Sequence, residues 1–165
     1  TLAGLAFAFE PPLLEYMKEK PKSKCESIIN RYMASSIIST SVYASILCFI
    51  FLKLPYLRTI YQSNERLMTA FFGLFIFIDI FNSFNARTSR INIFANILKN
   101  KIFLGIIIFI AVVQICMIYF GGEVFRTTGL TFYELQIMIL IAATVIPIDW
   151  IRKYIYKKVY KTIGV

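Results

Sequence analysis

Leu67-Met68-Thr69-Ala70-Phe71-Phe72-Gly73-Leu74-Phe75-Ile76-Phe77-Ile78-Asp79-Ile80-Phe81-Asn82-Ser83-Phe84-Asn85 is a run of aromatic and branched residues interrupted by few polar groups, and Arg87 and Arg90 stop it. Coiled at about 1.5 Å per residue, it covers the roughly 30 Å of a bilayer's hydrocarbon core. It therefore predicts a transmembrane helix. An acid near the middle of such a span costs about 2.5–3.5 kcal/mol on insertion scales, so Asp79 marks a compensated site by default. On a helical wheel Asp79 shares a face with Asn82 and Ser83, while Leu74, Phe77, Phe81 and Phe84 lie opposite. The wheel predicts oxygens turned into a bundle and phenylalanines set against lipid or flat helix surfaces.

Three further spans flank this one. Residues 32–51 are rich in Ser and Ala (Ala34, Ser35, Ser36, Ser39, Ser41, Ala44, Ser45), a small face suited to close helix contact in lipid. Residues 102–120 are the most uniformly apolar run, with Gln114 as the one strongly polar residue. Residues 131–151 form a fourth span, whose last turns Pro147 is expected to kink. The connections are a short one over residues 53–66 with Pro55, a polar linker over 91–101 that suits a surface helix, and a turn from Gly121-Gly122 through Arg126 to Gly129. Residues 1–9 are apolar from the start but would cover only about 14 Å as a helix, which predicts the tail of a helix begun before Thr1. A polar loop with Lys18, Lys20, Lys22 and Lys24 follows to Arg31.

The fold class expected is an all-α membrane protein, a bundle of four transmembrane helices preceded by the end of a fifth helix and a cytoplasmic loop. Residues 1–31 make up that end and loop, and residues 32–165 the bundle with its basic tail.

Composition agrees, since the chain is 58% hydrophobic and only 16% charged, against about 25% charged in soluble domains. Mean hydropathy is +0.69. The net charge of +9 does not indicate a nucleic-acid partner, because the basic clusters adjoin apolar spans. Fourteen of the 18 Lys and Arg fall in the first loop, the middle linker and the tail; Lys53, Arg58, Arg66 and Arg126 lie on the other side. The positive-inside rule makes the first loop, the middle linker and the C-terminus cytoplasmic. Cys25, Cys48 and Cys116 have no close spacing and histidine is absent, so a disulfide framework and a zinc pattern are both unsupported. No phosphate-binding, dinucleotide-binding or nucleophile-elbow motif is present, and no catalytic residue is assigned.

Carboxylate and amide oxygens at the spacing of Asp79, Asn82 and Ser83 suit a hard cation such as calcium. One helix supplies two or three oxygens at most, so other helices must complete any metal site at Asp79. The alternative is structural: Asp79 bonds a neighbouring helix, protonated or paired with Lys or Arg. Asn82 also suits holding helices together. Asp149 lies within a turn of Arg152 and Lys153, a local pair or a headgroup contact, and Glu134 lies near the opposite interface, within reach of water. Trp150, Tyr154, Tyr156 and Tyr160 match an aromatic belt.

Three blocks resemble the P-type cation pumps, and most closely calcium pumps of the plasma-membrane type. Thr1-Leu2-Ala3-Gly4-Leu5-Ala6-Phe7-Ala8-Phe9-Glu10-Pro11-Pro12 resembles the stretch leaving the sixth transmembrane helix. Phe81-Asn82-Ser83-Phe84-Asn85-Ala86-Arg87 resembles the signature ending the eighth, and Tyr119-Phe120-Gly121-Gly122-Glu123-Val124-Phe125 the turn between the ninth and tenth. The resemblance makes the four spans helices seven to ten. It implies a parent that uses ATP and magnesium, forms an aspartyl phosphate in a cytoplasmic domain and transports calcium, with its principal ligands on the fourth to sixth helices. Its partners would be the lipid bilayer and the remaining transmembrane and cytoplasmic domains of the same pump, and its location the plasma membrane. Residues 10–24 would touch the phosphorylation domain. Thr1 would neighbour the ion site, as a weaker candidate than Asp79. Asp79 stands where reticulum-type pumps carry an acid contributing to a second ion site and the plasma-membrane type usually carries Gln, so one ion, two ions or proton exchange remain alternatives.

The function implied is thus the C-terminal transmembrane part of an ATP-driven calcium pump, supporting and partly lining the ion pathway and not catalytic by itself. The alternatives are the same domain of a pump for another cation and a non-catalytic four-helix membrane scaffold.

Overall fold

Asn30, Ser63, Asn100 and Thr131 each accept a side-chain hydrogen bond from the main-chain N–H three residues ahead, and a helix starts after each. Such caps satisfy donors that the first helical turn leaves unpaired. The structure is a computed structural model that describes residues 2–9, 29–88, 97 and 100–163. Its elements are α1 (Leu2–Ala8), α2 (Arg31–Lys53), α3 (Pro55–Tyr61), α4 (Asn64–Arg87), α5 (Lys101–Phe120), α6 (Gly122–Phe125), α7 (Phe132–Ala143) and α8 (Val145–Ile163). No strand occurs among the described residues. Four segments are long and apolar enough to cross a membrane: Arg31–Lys53, Asn64–Arg87, Lys101–Phe120 and Phe132–Val159, the last joining α7 to α8. The protein is an all-α membrane bundle.

The central helix is α4, which packs on α2, α3, α5, α7 and α8. Lipid tails are as apolar as leucine, so helices associate through close packing and polar contacts, not through escape from water. Gly73 provides the closest approach: a Cβ built there would lie 2.5 Å from Met138 Sδ of α7. Around it Leu67, Ala70, Leu74 and Phe77 of α4 meet Phe103 and Ile118 of α5 and Leu135 and Ala142 of α7. The outer faces are apolar and exposed, with Ile38, Val42 and Phe49 on α2 and Ile108, Phe109 and Val112 on α5. An apolar exterior of this extent suits lipid as its solvent.

Leu74 and Phe77 are buried, and Phe84 sets its ring edge-on to Phe103 at 5.4 Å, so this side of α4 lies on helix surfaces. The opposite side departs from expectation, because Asp79 is exposed and the described helices do not enclose it. The small face of α2 differs as well, as Phe51 is the only residue of α2 that is buried.

The connection after α2 holds α3, a short helix opened by Pro55 at a first-turn position where no N–H is needed. Leu57 and Tyr61 of α3 are buried. The fourth span breaks at Thr144, three residues before Pro147. Proline has no N–H to offer the carbonyl four residues back, here that of Ala143, and its ring crowds that turn. The Thr144 hydroxyl donates to the Ile141 carbonyl and accepts from the Tyr43 hydroxyl of α2 at 2.6 Å, so the break is tied to α2. At the turn after α5, a Cβ on Gly121 would collide with the Met117 carbonyl and lie 2.7 Å from Thr127 Oγ1.

Polar clamps close both ends. At one, Glu134 is 2% exposed and does not reach water as expected. It forms a reciprocal capping box with Thr131 and an ion pair with Arg66 at 3.4 Å, while the Tyr61 hydroxyl donates to its main-chain oxygen at 3.2 Å. Burial, and then the Glu134 charge, push the Tyr61 phenol well above its ordinary range. At the other end the Asp149 carboxylate pairs with Arg152 at 2.7 Å and Lys153 at 2.8 Å. Lys153 Nζ also donates to the Asn85 carbonyl at 3.0 Å, and Arg152 Nη2 to the Tyr32 hydroxyl at 3.3 Å. The local pair expected at Asp149 is therefore present, and it is buried and extends to α4 and α2.

Candidate functional site

A groove of about 840 Å³ runs between α2 and α4. On the α4 side it is lined by Phe71, Phe75, Ile78, Asp79, Asn82 and Asn85, one or two residues per turn of the face opposite the Phe77 contact. On the α2 side Ser36, Thr40, Ser41, Ser45 and Cys48 line it, so hydroxyl oxygens stand across from the acid. Tyr32 and Arg152 close one end.

Among the described residues, nothing donates a hydrogen bond or forms an ion pair with the Asp79 carboxylate. The pairing with Lys or Arg offered by the structural alternative thus has no partner among the described residues. Asn82 lies in the same groove, one turn on. Ser83 instead donates its hydroxyl to the Asp79 main-chain oxygen at 2.9 Å, a bond back along its own helix. The three residues singled out on the wheel therefore separate into two that line the groove and one that serves the backbone. Thr1 and residues 10–24 lie outside the described residues.

Chemically the groove offers one carboxylate, side-chain amides and several hydroxyls, all hard oxygen donors. Calcium takes six to eight oxygens, with carboxylates among the strongest. No cluster of three His, Cys, Asp or Glu side chains occurs among the described residues. The groove can furnish part of a coordination shell or a proton-exchanging carboxylate; a full cation site needs ligands from a neighbouring surface.

Residue reasoning missed the depth of the polar end. Asn85 is 3% exposed, and its Nδ2 donates to the Val145 carbonyl at 3.2 Å. Its place in the quoted Phe-Asn-Ser-Phe-Asn block was visible, but its burial was not, because the partner lies 60 residues away. Gln114 is likewise buried at 3% exposure, and its Nε2 has no partner among the described residues.

Comparison with known proteins identifies the family. The family model described as the C-terminus of cation transporting ATPases matches residues 1–155. Calcium-transporting ATPase 10, plasma membrane-type, of Oryza sativa subsp. japonica is 32% identical over 93% of this chain. Calcium-transporting ATPase PAT1 of Dictyostelium discoideum is 31% identical over 94% of it, and calcium-transporting ATPase 12, plasma membrane-type, of Arabidopsis thaliana 30% identical over 94%. The chain spans 15% of the length of each of these relatives. With a four-span bundle of this architecture and a family match over nearly its whole length, the chain belongs to the cation transporting ATPase C-terminal family.

Proposed function

We propose that this chain is the C-terminal membrane part of an ATP-driven calcium pump and that Asp79, with Asn82 beside it, contributes to the ion pathway. The observation that carries the reading is the Asp79 carboxylate at mid-span, in a groove faced with hydroxyls and unpaired among the described residues. A carboxylate held at that depth needs a compensating cation, proton or donor. The names of the relatives favour calcium as the cargo. The groove then meets the remaining transmembrane helices of the same pump, whose oxygens complete the shell. ATP and magnesium act in cytoplasmic domains of the parent, and residues 1–31 join those domains to the bundle. The charge count favours a cytoplasmic first loop, middle linker and tail, and the relatives' plasma-membrane type favours that membrane.

The test is detection of the acid-stable phosphoenzyme formed from ATP by the full-length protein, with and without micromolar calcium. A labelled band that requires calcium supports the reading. A band indifferent to calcium keeps the family and changes the cargo, and an unlabelled protein leaves the membrane-scaffold alternative.

A further inference from the structure

The lining of the Asp79 groove stops at Cys48 on α2 and Phe71 on α4, at the end remote from Arg152. The next turn of α2 carries Phe51, the one buried residue of that helix. Its ring centroid lies 6.5 Å from that of Phe71 and 5.7 Å from that of Tyr61 on α3. Tyr61 is wholly buried, and its hydroxyl donates to the Glu134 main-chain oxygen at 3.2 Å, so its one polar side-chain atom is spent on α7. Within one turn of α2 the groove thus passes from the hydroxyl of Ser45 and the thiol of Cys48 to a cluster of three rings drawn from three helices.

The backbone of α3 is arranged to keep Tyr61 in that cluster. A helix of seven residues is too short to be stable by itself, so its tertiary contacts must hold it. Pro55 presets its first turn, and Leu57 and Tyr61 bury its inner face. Gln62, next to Tyr61, has φ 54°, a left-handed conformation unfavourable for a residue with a side chain. That joint lets the chain pass from α3 into α4 through Gln62 and Ser63 alone, which pulls α3 tight as a strap beside Phe51. Rings packed together with no polar group between them exclude water, and apolar constrictions of this kind stop hydrated ions by dewetting.

We propose that Phe51, Phe71 and Tyr61, with α3 as the strap that holds Tyr61 in place, form a seal that closes the Asp79 groove to water and ions at the end remote from Arg152. The positive-inside count favours placing that end outside the cell. The use of the seal rests on reading this groove as part of the ion pathway, since a pathway open at both ends would let ions run back down their gradient.

The test is labelling of the full-length protein in sealed membrane vesicles with a membrane-impermeant cationic thiosulfonate, enclosed within or added outside, and mapping of the modified cysteines by peptide mass spectrometry. Cys48 lies just inside the seal, and Thr59 is exposed on α3. In the Thr59→Cys variant, the side of the membrane that gives label at position 59 gives none at Cys48. Adding Phe51→Ala/Phe71→Ala opens the seal, and Cys48 loses its protection from that side. Adding Phe51→Leu/Phe71→Leu instead keeps apolar bulk and keeps the protection. The labelling needs neither ATP nor a transported ion, so a failure here leaves the calcium reading to its own test. Label at Cys48 with the three rings intact would overturn the proposal whether or not the alanine pair folds, and so would continued protection in the alanine pair or lost protection in the leucine pair.

Discussion

Lys153 Nζ lies 3.0 Å from the main-chain oxygen of Asn85, so a lysine of α8 caps the C-terminal turn of α4. The lysine side chain is 1% exposed. Its charge is matched on the second side by Asp149, and one carboxylate thereby secures both the α8 cations and, through them, the end of the central helix.

Asp149→Asn removes that carboxylate and leaves Arg152 and Lys153 buried with reduced compensation. Breaking a buried ion pair from one side costs about 3–5 kcal/mol. The expected outcome is a marked drop in the thermal midpoint of the full-length protein in detergent, followed by size-exclusion chromatography. Asp149→Leu/Arg152→Met/Lys153→Met, which removes all three charges, recovers much of the loss, and no recovery would mean that the charges themselves hold the helices.

Gly73→Leu forces α4 away from Met138, with an expected loss of about 1–3 kcal/mol from overpacking. Met138→Ala opens space at the same contact, so the double variant should lose less than the two single losses combined. Strict additivity in thermal unfolding would show that the two side chains do not share this space.

Asp79→Asn keeps size and shape but removes the charge facing the groove. On the proposed function this variant is expected to lower apparent calcium affinity about tenfold, or to reduce the ions carried per ATP by one. Transport assays on vesicles containing the full-length protein read both. An unchanged calcium dependence would leave Asp79 with a structural role alone.

Tyr61 carries a pH prediction. Its phenol is raised from an ordinary value of 10.0, first by burial and then by Glu134. The neutral form is thus favoured in the folded state, and the stability it contributes is complete below about pH 10 and lost as pH rises from there towards the higher folded value. A tyrosinate absorbance titration of wild type minus Tyr61→Phe should show no ionisation of this residue near its ordinary value while the protein stays folded; a normal transition there would contradict the buried hydroxyl contact.

The spans were legible because lipid imposes a length and a composition that few other environments do. Residues 67–85 and 102–120 announce themselves by apolar runs that end at charges or glycine. The face shared by Asp79 and Asn82 was legible from spacing, although Ser83, grouped with them, bonds back along its own helix. Which way that face turned was not, since a helical wheel gives relative directions and Gly73 against Met138 sets the absolute one. Glu134 was misjudged for a related reason: its distance from the span centre suggested water, whereas Thr131, Arg66 and Tyr61 gather around it from three segments. The α3 helix went unseen despite Pro55, because seven residues carry too little periodicity to distinguish a helix from a turn.

The cap that Lys153 places on Asn85 also has a history. The two residues are 68 positions apart, and at about 5–20 residues per second a ribosome needs roughly 3 to 14 s to make the intervening chain. Through that interval the newborn α4 sits in the membrane with the Asn85 carbonyl awaiting a lysine not yet synthesised. For those seconds the last turn of α4 lacks the charge that later closes it, so the end of the central helix is completed only when α8 arrives.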